Sequence, residues 1–267
     1  MEAMTMFEFL RYDGRKRLKG SVYLSIGMAL LAVIVIWVYP SFRDAFDDVD
    51  EFLAAYPPEI LQLFDIRTMG SIEGFLAFEL YVFGWIILLG LYLAYSAAGV
   101  IADDVDRGRM DSLLALPVSR PRLLVEKFAA LGVPIVVVNV LIPPVVLGAA
   151  WLVDEPMSVV DVLAVHLLSI PYLFACAGIG ILCSVAFDRV SIAQRVALGA
   201  TFALFLIESL LEGTDFEFVG AIAPMRYYDP NAILLDGTYD LVGAGILVAM
   251  TLVLVVVSQF WFTRKDV

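Results

Sequence analysis

The stretch LYVFGWIILLGLYLAYSAAGVIA, residues 80–102, runs without a charged side chain, and directly after it come Asp103, Asp104, Val105, Asp106, Arg107, Gly108 and Arg109. A helix rises about 1.5 Å per residue, so roughly 20 apolar residues cross the ~30 Å hydrocarbon layer of a bilayer. Residues 80–102 meet that length. Working outward, the same test is met by residues 21–39, 128–153, 162–187, 190–211 and 241–262. The run 190–211 is the least clean, with Gln194 and Arg195 at one end and Glu208 at the other. Such end charges can reach toward lipid headgroups. The reading is an all-α integral membrane protein with six transmembrane helices, residues 1–267 forming one domain.

Composition agrees. The chain is 61% hydrophobic and only 17% charged, against the 45–50% apolar content of average soluble domains. A soluble fold this apolar would need a larger core than 267 residues enclose. The run 21–39 follows Arg15, Lys16, Arg17 and Lys19 and so resembles a secretory signal. It is too long, however, and Val38-Tyr39-Pro40 offers no small-residue cleavage site, so it reads as a retained anchor. Cys176 and Cys183 share one run at a spacing too wide for a disulfide on one helix, and read as packing residues.

Charge is sorted by side. With the N-terminus in the cytoplasm, fourteen of the seventeen Lys and Arg residues fall in cytoplasmic segments, and only Arg43, Arg67 and Arg226 fall outside. Positive residues mark the cytoplasmic side of short loops. An even number of crossings is therefore expected, with both termini cytoplasmic and the chain multi-pass in the cell membrane. Seventeen Asp and Glu residues fall on the opposite side, within a net charge of −12. A salt-rich milieu would screen such a surface. Solubility, or attraction of cations, is the plainer alternative.

The segments between the runs carry their own signals. Residues 1–20 read as an amphipathic interfacial helix, with Met6, Phe7, Leu10 and Leu18 toward lipid and the basic residues toward anionic headgroups, although Gly14 weakens the pattern. The outer loop 40–70 mixes apolar residues with acids and suggests a short surface helix. In the inner loop 103–127, Asp111 or Ser112 can cap a short helix over 113–116, Pro117 stops it, and Ser119 can cap the next helix with Pro121 in its first turn. Leu114 and Arg120 would then lie on an exposed helix suited to docking a partner. In the outer loop 213–240, residues 219–225 and 232–235 are apolar but too short to cross. They could dip into the leaflet only if other helices cover the backbone, and Tyr227 and Tyr228 suit the interface.

Two of these segments carry a resemblance. Gly108, Ser112-Leu113-Leu114-Ala115-Leu116-Pro117-Val118-Ser119-Arg120, Leu123-Leu124 and Lys127 resemble the segment after the second span of type-2 ATP-binding-cassette (ABC) transporter permeases. Pro224, Tyr227-Tyr228-Asp229-Pro230 and Leu234 resemble that family's aromatic-proline stretch before the last span. Asp103 and Asp104 stand where Glu is commoner in the family. The resemblance implies that the loop holding Asp103, Asp104, Arg107, Gly108, Asp111, Leu113, Leu114, Pro117, Ser119, Arg120 and Lys127 forms a cytoplasmic coupling helix seated in an ATPase subunit. It further implies a second permease subunit, as homo- or heterodimer, and transport driven by ATP, usually as export. No substrate signature comes with it. The chain has no Gly-Lys dipeptide, so no Walker A loop can form. It is accordingly expected to be non-catalytic and without a cofactor, the ATP being bound by its partner. Lipid is an expected partner and nucleic acid is not.

Glu79 and Glu208, near the outer ends of two runs, either line a substrate path or lie as interfacial carboxylates. His166, the one histidine, cannot build a metal site alone and is expected to hydrogen-bond or pack. Pro134, Pro143, Pro144 and Pro171 are expected to kink their helices. Cys176…Gly180 and Gly245…Ala249 permit close helix approach. Two other functions compete. A metal-dependent membrane transferase could use Asp103, Asp104, Asp106 and Asp111, but the interleaved Arg107 and Arg109 offset their charge. An ion-gradient-driven secondary transporter could use Glu79 and Glu208, yet no broken helix pair appears in both halves.

Overall fold

The computed structural model describes residues 8–45, 49, 53 and 55–265. Among the described residues all regular structure is helical, and six helices are long and apolar enough to cross a membrane. The crossings are α1 (Glu8–Asp44), α3 (Ile72–Asp106), α5 (Arg120–Ala129) running on into α6 (Gly132–Leu152), α7 (Val159–Ala186), α8 (Val190–Leu211) and α10 (Leu241–Arg264). Shorter helices are α2 (Pro58–Leu63), α4 (Met110–Leu114) and α9 (Pro230–Leu234). Two tight 3₁₀ turns, Glu217–Ile222 and Pro224–Tyr227, lead into α9.

α7 is the hub, packing against α3, α10, α8 and α6, while α1 packs against α6. Small residues let α3 and α7 approach closely. A Cβ on Gly180 would strike the Ala94 carbonyl oxygen, and one on Gly90 would lie 2.8 Å from the Tyr172 hydroxyl. Ser184 of α7 accepts from the backbone N–H groups of Ile101 (2.8 Å) and Ala102 (3.0 Å), fastening the same pair. Of the two small-residue pairs, Cys176…Gly180 thus lies at a helix contact. Gly245 meets nothing within 4 Å, and it and Ala249 face outward. α8 and α10 are the least covered crossings within the subunit.

The helix starts have physical causes. Ser158 accepts from Asp161 N and begins α7, Asp229 accepts from Ala232 N and begins α9, and Asp240 accepts from Gly243 N and begins α10. Each side chain satisfies one of the donors that a first turn leaves open.

Several expectations change. The division at residue 20 is absent, because α1 is one helix of 37 residues, about 55 Å long by its rise. That exceeds the hydrocarbon layer, so its basic first third projects beyond it. Gly14 does not break it, since it is buried against Val133 and tertiary packing outweighs glycine's propensity cost. Residues 1–7 of the expected interfacial helix lie outside the described residues. The second crossing begins at Ile72 rather than 80, and its part Ala77–Leu89 is widened into a π-helix. Pro143, Pro144 and Pro171 sit in unbroken helices. The interruption falls at 130–131, before Pro134. Pro134 has no N–H to give to the Ala130 carbonyl, which accepts from Val133 N at 3.2 Å instead.

Candidate functional site

α3 ends at Asp106, and Gly108 turns the chain at φ +63°, a left-handed conformation that glycine adopts without a Cβ penalty. α4 follows at 110–114, displaced from the expected 113–116. Arg109 holds its N-cap position, and neither Asp111 nor Ser112 caps it. Met110 is buried and anchors the piece, Leu113 and Leu114 are half-buried against the core, and Asp111, Ser112, Leu116 and Pro117 are exposed. Ser119 stands at the N-cap of α5 without a capping bond, and Pro121 lies in the first turn.

The root of this connection is held by a chain of ion pairs. Asp103 accepts from Arg107 (2.7 Å) and Arg109 (2.6 Å). Asp104, almost fully buried, pairs with Arg109 (2.8 Å) and Lys127 (2.8 Å), and Lys127 also reaches Asp13 of α1 (3.5 Å). Asp106 accepts from Val190 N at the start of α8 (3.3 Å). The Asp104–Lys127 pair, nearly buried on both sides, loses less to solvent screening than the exposed pairs of Arg107 and Arg109. The connection is thereby tied to α1, α5 and α8 at once.

Arg120 is placed otherwise than expected. It lies in the first turn of α5 and donates to the carbonyls of Phe262 (3.2 Å) and Lys265 (2.5 Å), its guanidinium 5.8 Å from the Phe262 ring centroid. It thus satisfies the open C-terminal carbonyls of α10 and is no part of the exposed helix. Glu126 escaped the sequence reading. It is buried, accepts from Arg122 Nε (2.7 Å), and also accepts from the N–H groups of Phe9 (3.1 Å) and Leu10 (3.4 Å) at the start of α1. A carboxylate there meets both open donors and the positive end of the helix dipole. Its Arg122 partner four residues back is visible in the sequence, whereas its helix partner is not.

On the opposite face, Glu208 is buried against Gly220, 3.6 Å from Arg226, and lines a small cavity of about 70 Å³ with Asp65, Arg67, Glu212 and Asp229. Glu79 is half-buried in the π-helical part and does not line that cavity. The two glutamates therefore do not line one cavity. His166 is buried with Nδ1 2.8 Å from the Val162 carbonyl, its ring edge-on to Tyr81 and Trp85. Tyr228 is buried rather than interfacial, donating to the Val165 carbonyl (3.0 Å) and stacked on Tyr172.

Among the described residues no group of three His, Cys, Asp or Glu is arranged to hold a metal ion. Asp103 and Asp104 are instead taken up by Arg and Lys, and Asp106 by the Val190 N–H. What the arrangement offers is mechanical: a projecting connection braced at its root.

The profile described as "ABC-2 family transporter protein" matches residues 13–267. The chain belongs to that family. It is a multi-pass transmembrane permease of the ABC transporter class, a class of generally non-catalytic membrane components that associate with an ATPase subunit. Comparison with the curated proteins gives no match. ABC-2 membership accounts for the apolar crossings, and it assigns no substrate.

Proposed function

We propose that this ABC-2 permease exports a substrate, as residues 1–267 acting as one unit, paired with a second permease subunit and driven by ATP hydrolysed on a separate ATPase. In this reading both termini and the Lys/Arg-rich face are cytoplasmic. The connection from Asp103 to Lys127 receives the ATPase, with Asp111, Ser112, Leu116 and Pro117 forming the contact. Gly108, Asp103, Asp104, Arg107 and Lys127 fix its angle, and Leu113 and Leu114 seat it on the bundle. Ser119 and Arg120 belong to its return into the membrane. The carrying observation is that α4 is exposed at its tip yet joined through α3, α5 and α8 to three crossings. A displacement at the tip would thus reach the crossings as movement of whole helices.

The test is co-purification with the ATPase partner. Leu116→Glu should abolish the complex while leaving the permease folded and in the membrane. Undiminished complex formation, or labelling of a Leu116→Cys variant only from the extracytoplasmic side, would overturn the assignment.

A further inference from the structure

A cavity of about 310 Å³ opens where α1, the end of α3 and the start of the connection meet. Its lining carries four cations, Lys16, Arg17, Arg109 and Lys127, and three anions, Asp13, Asp103 and Asp104. The anions are already engaged. Asp103 holds Arg107 and Arg109, Asp104 holds Arg109 and Lys127, and Asp13 faces Lys127. Arg17 is left over. It is half-buried, donates from one nitrogen to the neutral Ser96 hydroxyl at 2.9 Å, and has no carboxylate within 4 Å among the described residues. A guanidinium has five donors and stays charged. Holding it partly out of water with no carboxylate in contact is unfavourable.

Position narrows the class of anion. Arg17 sits at the last charged turns of α1 before the uncharged run 21–39, where that helix enters hydrocarbon. Phosphate suits a planar guanidinium, which grips two of its oxygens at once. Basic residues beside a crossing also attract anionic headgroups.

We propose that this cavity binds a phosphate-bearing anion, with Arg17 as its principal ligand and Lys16 at its mouth. Because Asp103, Asp104 and Arg109 line the same space, the bound phosphate would also bear on the root of the connection. Its source is either an anionic phospholipid headgroup or a soluble phosphate compound, and the two are separable by experiment.

The permease is reconstituted in phosphatidylcholine nanodiscs, and its unfolding midpoint is followed in two titrations at constant ionic strength. One adds phosphatidylglycerol to the discs, and the other adds glycerol 1-phosphate or inorganic phosphate to the buffer. A rise in midpoint with phosphatidylglycerol alone assigns a headgroup, and a rise with the soluble compounds assigns a soluble ligand. In either case Arg17→Gln should weaken apparent binding about tenfold or more, the loss expected of a charge-assisted contact. Lys16→Gln should weaken it less. Arg15→Gln, which removes an exposed cation outside the cavity, should leave it unchanged. Should Arg17→Gln fail to fold, the contrast between Lys16→Gln and Arg15→Gln decides. No rise in either titration, or equal loss in Arg15→Gln, overturns the proposal. None of these readouts involves the ATPase, so the site stands or falls separately from the proposed function.

Discussion

Single residues hold this bundle where backbones crowd. Gly180 is one, since an added Cβ would meet the Ala94 carbonyl and lie 2.7 Å from Ala97 Cβ. Gly180→Ala should destabilise the permease by about 1–3 kcal/mol through overpacking, measured as a lower midpoint in detergent. Gly148→Ala, which meets nothing within 4 Å, should be neutral. Asp65 is held at φ 47°, left-handed backbone that Asn adopts readily and β-branched residues do not. Asp65→Asn should therefore cost only what the lost Arg67 and Asn231 contacts supply, while Asp65→Val should cost about 1–2 kcal/mol beyond that. Glu126 works differently, by joining two distant elements through one buried carboxylate. Glu126→Ala strands donors at the start of α1 and should leave the backbone amides of Phe9 and Leu10 exchanging faster with solvent than in the parent chain.

At the scale of elements, the connection between α3 and α5 divides into a braced root and an exposed tip. Arg120 belongs to the root, as a clasp on the end of α10. Arg120→Glu should lower the midpoint of the isolated permease, before any ATPase is added. An unchanged midpoint would remove the clasp. A loss of ATPase binding in that variant would thus not by itself report a docking contact, whereas Leu116→Glu would. The sequence showed that a short helix lies between Gly108 and Pro117. It could not show its register, because the expected caps at Asp111 and Ser112 compete with the packing of Met110, and burial of Met110 prevails.

For the whole molecule, the acidic face is organised by three arginines. Arg43 pairs with Asp44 and Glu155; Arg67 with Asp65, Asp229 and Asp236; and Arg226 with Glu208 and Glu217. Arg43 and Arg67 gather segments far apart in the chain, whereas Arg226 closes a local loop onto the end of α8. Arg67→Gln would leave its three aspartates facing one another. Its destabilisation should be greatest in dilute buffer and shrink as added salt screens the repulsion, a dependence read from midpoints across a salt series. A salt-independent loss would assign Arg67 a packing role only. Burial pushes the Asp65 and Glu212 carboxyls above their ordinary range. The fold therefore takes up protons there more readily than the unfolded chain, so these groups add stability as pH falls through their raised values and withdraw it as pH rises. Mild acidification should leave this corner intact, with the Asp65 amide no faster in hydrogen exchange.

Six crossings, their approximate limits and the sorting of cations to one side were determined by the sequence alone. Hydrocarbon imposes a length, and charge a side, on any helix whatever its neighbours. The bounds of α8 at 190–211 agree residue for residue with its uncharged core and charged ends. Tertiary structure alone decided that α1 runs through Gly14, that Glu126 holds its first turn, that Arg120 clasps α10 and that Arg17 touches no carboxylate among the described residues. Each of these depends on which distant side chain arrives at a given point in space. That is set by helix packing, which periodicity and composition along the chain do not encode.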